Sequence, residues 1–165
     1  MAVSSVVKNF RDGTILIEDG TGTPLAVTVQ YEAGDFSISG LNQSNTEATT
    51  YLDRGELGSV RKTSRTFPTF SFSAHMTDLS DNTDKLLYDA VNKTGAFASA
   101  VSTGGTASDV YMLKVTLTIE GTNFGDSADH VLTLNDVRID SVDVAEGDPN
   151  SYTINFTVYG AVVAS

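Results

Sequence analysis

Cysteine is absent from the 165-residue chain, and histidine occurs twice. The first absence excludes a disulfide framework, a zinc-thiolate site and a thiol nucleophile; the second leaves little material for a histidine-rich metal site. Basic side chains are scarce, ten against 21 acidic ones, for a formal net charge of −11 and a pI near 4.3. Gripping phosphate needs clustered Lys and Arg that release counterions, so this balance argues against a nucleic-acid clamp. No run of about eighteen apolar residues occurs, and Met1 to Phe10 lacks the uninterrupted apolar stretch of a signal peptide. The expectation is a soluble protein made in the cytoplasm, without membrane contact. An apolar share of 40% suffices for a core without metal or disulfide help, and the length suits one domain over 1–165.

What is present is period-two alternation. Val, Ile, Thr, Phe and Tyr recur in short runs separated by Gly, Asp and Asn, the pattern of half-buried antiparallel strands. Leu25, Val27, Val29 and Tyr31 alternate with polar residues and, after Ala33-Gly34, Phe36 and Ile38 do the same, which predicts a hairpin with one wet face. Phe70, Phe72, Ala74 and Met76 form a strand face, as do Leu113, Val115, Leu117 and Ile119 opposite Lys114, Thr116, Thr118 and Glu120. From Val131 to Val144 the apolar parity slips twice, predicting bulges near Asn135-Asp136 and Asp140-Ser141. Tyr152, Ile154, Phe156 and Val158 make the last long strand. The fold class is mainly β: an antiparallel sandwich or half-barrel.

Two segments depart from alternation. Leu86, Leu87, Ala90 and Val91 share a helical stripe, with Asp81 as N-cap and Gly95 at the left-handed C-terminal position, predicting one flanking helix over about 81–94. The stretch from Gly40 to Thr66 is long, polar and irregular, and connections of that length are usually functional or disordered. It carries Arg54, Arg61, Lys62 and Arg65 against Glu47, Asp53 and Glu56, a net +1, which leaves −12 on the remainder. A basic arm on an acidic body permits head-to-tail self-association; an ordinary solvated loop is the equally weighted alternative.

Candidate chemistry is thin. His75 ends one strand and His130 begins another after Asp126 and Asp129, so a His-carboxylate base or metal site can be drawn. No nucleophile motif accompanies it. The turns at Glu18-Asp19-Gly20, Gly125-Asp126 and Glu146-Gly147-Asp148 could offer oxygens to calcium, but they lack EF-hand spacing, and Asp, Asn and Gly are what tight turns require. Neither a phosphate cradle nor a cofactor motif occurs. The expectation is no catalytic residue, no metal and no cofactor. Phe36, Phe70, Phe72, Tyr152 and Phe156 lie on the apolar parity of their strands and are expected in the core; Phe67 does not.

The order of these pieces carries a resemblance. Tyr51-Leu-Asp-Arg-Gly, Thr66-Phe-Pro-Thr-Phe-Ser-Phe-Ser-Ala, Leu86-Leu-Tyr-Asp-Ala-Val followed by Gly95, and Leu132-Thr-Leu-Asn-Asp-Val-Arg-Ile-Asp stand between an N-terminal alternating segment and a C-terminal β-meander. Over essentially the whole chain this resembles the tail tube proteins of long-tailed bacteriophages, whose relatives include tube proteins of contractile tails and secretion needles. The resemblance implies a structural virion protein, assembled in the host cytoplasm into homohexameric rings that stack head to tail as a hollow tube. It implies a tape measure protein in the bore and tail terminator and distal tail proteins as partners, with DNA only as passing cargo. About four strands from each of six subunits, ~4.8 Å apart and tilted by roughly 40°, enclose a bore wide enough for duplex DNA. The ring-to-ring arm would be about 40–66, with Asp53, Arg54, Glu56, Arg61, Lys62 and Arg65. Candidate lumen-facing groups are Thr28, Gln30, Glu32, Asp35, Ser37 and Ser39, with Lys114, Thr116, Thr118 and Glu120 as a second candidate face; one sequence leaves the choice of face open. The alternative function is a monomeric β-sandwich binding module for carbohydrate or protein, which exposed aromatics on a flat sheet face would favour; a metal-dependent hydrolase rests on the two histidines alone.

Overall fold

A computed structural model describes residues 13–30, 36–41 and 46–165. Among these residues, ten strands and one α-helix run in the order β1 (Gly13–Glu18), β2 (Ala26–Thr28), β3 (Ser37–Ser39), β4 (Thr46–Asp53), β5 (Glu56–Arg65), β6 (Thr69–His75), α1 (Leu87–Asn92), β7 (Met112–Ile119), β8 (His130–Ala145), β9 (Ser151–Val158) and β10 (Val162–Ala164). Eight strands form one antiparallel sheet in the order β2-β1-β7-β8-β9-β6-β3, with β10 pairing β8; β4 and β5 form a separate two-stranded sheet. The fold is mainly β, as its alternation predicts, and the sheet does not close into a barrel.

Register explains the core. Ile17, Val115 and Leu134 lie directly across from one another, as do Ile38, Phe70, Phe156 and Ile139, and Phe72, Ile154 and Val142. One face of every long strand of the large sheet therefore points into a single cluster, closed over by Ala90, Val91, Phe97 and Ala100 from α1 and the turns after it. Phe70 stacks on Phe156 with ring centroids 4.3 Å apart, and Phe36 packs against Phe70 at 5.7 Å, so the aromatics expected inside are inside.

Both expected bulges exist. Lys114 faces Asn135 and Asp136 together, where the β7–β8 register jumps, and Asp136 takes a left-handed φ of 50°. Gly160 sits against the same kink: a Cβ there would lie 2.5 Å from the Asn135 carbonyl oxygen. The second jump falls between Ile139 and Ser141, leaving Asp140 as the extra residue on the outer face.

Three expectations are corrected. The segments around Leu25–Val29 and Phe36–Ser39 do not form a hairpin: β2 pairs β1 and β3 pairs β6, at opposite edges of the sheet. The Asp19 carboxylate, accepting from the N–H groups of Thr21, Leu25 and Val101 and from the Thr21 hydroxyl, holds the turn that returns β2 to β1. The helix covers only 87–92, because Asp81 instead accepts from Thr83 and Asp84 N–H to close a turn, and Leu86 is extended. Its left-handed cap is Lys93, at φ 56°, ahead of Gly95. The stretch expected to be irregular holds the β4–β5 hairpin.

Candidate assembly surfaces

The hairpin is built from residues that give weak sequence signals. Its two-residue turn, Arg54-Gly55, has φ of 49° and 90°, both positive as a type I′ turn demands. Register places Leu52 opposite Leu57 and Thr50 opposite Val60, with Gly58 absorbed where the register shifts; Ala48 sits opposite Lys62. Directly opposed residues share a face. One face therefore presents Ala48, Thr50, Leu52, Leu57, Val60 and Lys62, and the other Thr49, Tyr51, Ser59 and Arg61 with Asp53 and Glu56 at the tip. Leu52 is 63% exposed, Leu57 66% and Val60 55%. In the sequence the arm shows its charge but not its apolar face, because Gly58 breaks the alternation that would reveal it.

The arm stands off the body. Its recorded side-chain links to the body lie at its base, where the Arg65 guanidinium donates to the Tyr159 carbonyl at 3.4 Å and sits 5.0 Å from the Phe67 ring, itself 4.7 Å from the Tyr159 ring. Of the six arm residues singled out, Asp53, Arg54 and Glu56 surround the tip, Arg61 and Lys62 lie mid-strand, and Arg65 anchors the base. A lone two-stranded hairpin is marginal in water, and this one leaves Leu52, Leu57 and Val60 exposed.

Topology sets the arm apart from much of the acidic charge. The hairpin leaves the sheet after β3 and re-enters at β6, level with Thr157 and Val158 at the end of β9; the other ends of β6, β8 and β9 carry Asp78, Asp81, Asp84, Glu146 and Asp148 in exposed loops, against Lys85 and Lys93.

The outer face of the large sheet joins the two wet faces read separately from sequence. Thr28 lies across from Leu16 and Leu16 from Thr116, while Ser37 lies across from Ser71, Asn155 and Ser141 in turn, and Ser39 from Thr69, Thr157 and Arg138. Hydroxyls therefore dominate it, several linked: Ser39 to Thr69 at 3.0 Å, Ser73 to Thr153 at 3.3 Å, and the Asn155 amide donating to Ser141 at 2.9 Å. Gln30 is exposed beyond β2, lining a cleft with Thr77 and Lys85. Glu32 and Asp35 lie outside the described residues.

Buried charge serves the scaffold. Asp89 is fully buried and accepts from the Ser80 hydroxyl at 2.7 Å, the Asp81 N–H at 3.0 Å and the Thr94 hydroxyl at 2.7 Å. Burial pushes its carboxyl up, but those three donors outweigh burial and hold it below the usual carboxylate range. His130 Nε2 does lie 3.1 Å from Asp126, on exposed residues; among the described residues no group of three or more His, Cys, Asp or Glu is placed to hold a metal. Among the described residues no helix is long and apolar enough to cross a membrane.

With this geometry in hand, comparison with solved structures is informative. The chain matches a chain of the sheath/tube terminator of an extracellular contractile injection system (PVC, extended state) at TM-score 0.58 and 12% identity, covering 99% of both chains. The chain has the fold of these tail assemblies. It also matches a chain of the anti-feeding prophage tube terminating cap at TM-score 0.57 and 14% identity, covering 100% of this chain and 94% of that one. A chain of the anti-feeding prophage baseplate follows at TM-score 0.52 and 11% identity, covering 100% and 97%. No protein-family model matches the sequence, and no curated protein matches it. At these identities the likeness is one of fold.

Proposed function

We propose that this chain is a structural subunit of a phage-like tail, a single 1–165 domain that forms six-membered rings stacking into a tube, without enzymatic activity. The observation that carries the reading is the hairpin β4–β5: a separate sheet with an exposed apolar face, on a body that shares its fold with terminator, cap and baseplate chains. The hairpin's Arg54, Arg61 and Lys62 extend toward the carboxylate-rich end of the next copy, while Leu52, Leu57 and Val60 dock against it. The outer, hydroxyl-rich face lines the bore, DNA passes through as cargo, and a tape measure protein and terminator or distal tail proteins are the other partners. The protein is then a virion component. A carbohydrate-binding module has less support, since the described outer-face strand residues include no aromatic ring. A terminating subunit is the second reading, favoured by the terminator and cap likenesses; it forms single rings that do not stack on themselves.

The charged part of the contact has a direct test. Raising salt from 0.1 M to 1 M cuts the Debye length from ~10 Å to ~3 Å. Sedimentation of the purified protein should then show the assembled fraction falling at least about twofold; assembly unchanged across that range would remove the cations from the contact.

A further inference from the structure

Within the strands of the large sheet, the cations are Lys114 and Arg138, and both project from the outer face among the hydroxyls. Each has a carboxylate beside it. Lys114 lies directly across β1–β7 from Glu18, with Nζ 2.6 Å from Oε2. Arg138 Nε lies 3.8 Å from Asp140 Oδ1, and Asp140 is the bulge residue, whose other oxygen accepts from the Thr157 hydroxyl at 2.5 Å. The bulge thus places an extra acid beside the second cation.

We propose that Glu18 and Asp140 mask the two cations of this face, making it non-adhesive to the phosphodiester backbone of duplex DNA. The proposal rests on the reading of this face as the wall of the bore. A polyanion moving along hydroxyls and paired charges meets no unpaired cation to displace its condensed counterions, and so no binding well. Lys114 is 36% exposed as a side chain and Arg138 46%, so each is within reach of a phosphate once its partner is gone. Distributed negative charge elsewhere on the protein would repel DNA at long range; the two pairs act at contact.

The test uses the full chain as unassembled protein, in which this face is open, and a fluorescently labelled 20-base-pair duplex followed by anisotropy at low salt. The probe variant is Glu18→Gln with Asp140→Asn, in which asparagine keeps an acceptor for Thr157. The control, Asp84→Asn with Asp148→Asn, makes the same charge change at loops. We expect no binding by the wild type, roughly a tenfold gain or more for the probe variant, and little change for the control. The gained binding should steepen log K against log salt by about −1.8, for two phosphate contacts. Wild-type binding, no gain in a probe variant with wild-type circular dichroism, or an equal gain in the control would overturn the proposal. Ring formation is scored separately by electron microscopy: its absence would sink the bore reading and leave the DNA result standing on its own.

Discussion

Aspartate at both Leu52 and Val60 is expected to leave the body folded and to abolish multimer formation. Both side chains sit on the apolar face of the hairpin, which touches no part of the core. A change there should move the melting temperature of the unassembled chain by less than about 2 °C. The assembled state is another matter. Burying Leu52, Leu57 and Val60 against a neighbour is worth about 1.5–3 kcal/mol for each side chain. Losing two of them and inserting two charges removes on the order of 5 kcal/mol, which raises the concentration needed for assembly by roughly three to four decades. Deleting 42–64 should give the same result. Light scattering across a concentration series, beside circular dichroism, separates the two effects. Assembly at the wild-type concentration would mean that the hairpin is not the contact.

The second large effect is on the fold itself. Asp89→Ala leaves the Ser80 hydroxyl, the Asp81 N–H and the Thr94 hydroxyl without their buried acceptor. Each orphaned donor costs about 1–3 kcal/mol, so the loss should be about 4 kcal/mol, or roughly 10 °C in melting temperature for a chain of this size. Thr94→Ala should cost about 1 kcal/mol. The pH dependence has the same origin. The Asp89 carboxyl is held below its ordinary value of 3.8, as is that of Asp19, where burial pushes up but bonds from Val101, Thr21 and Leu25 prevail. A depressed folded-state pKa contributes stability that is complete above the unfolded value and lost as pH falls through the folded one. Melting temperature should therefore hold level down to about pH 5 and drop below pH 4, with a shallower drop in Asp89→Ala. Equal acid sensitivity in the variant would assign the effect to other carboxylates.

Alternation reads well where both neighbours of a strand are settled. Phe70, Phe72 and Phe156 are buried as their parity requires, and the slips around Asp136 and Asp140 mark true bulges, because a chain that must keep Leu134, Val137, Ile139 and Val142 inside has no other way to do so. Pairing is less local. Nothing in Ala26–Thr28 or Ser37–Ser39 says that their partners are β1 and β6, since a three-residue edge strand takes whichever edge the rest of the sheet offers. The helix shrinks because Asp81, sound as an N-cap by type, finds a tighter use in a turn. Asp89 carries no signal in the sequence; its burial depends on Ser80 and Thr94 folding back over it, a tertiary fact with no periodic signature. Length and charge single out 40–66 in the sequence, but its apolar face emerges only once the β4–β5 register is known.

Negative-stain electron microscopy of the purified wild-type chain at moderate salt tests the central claim most directly. The account predicts six-fold rings about a central hole, stacked into tubes of uniform width. A field of isolated monomers at concentrations well above those of the scattering series would contradict it.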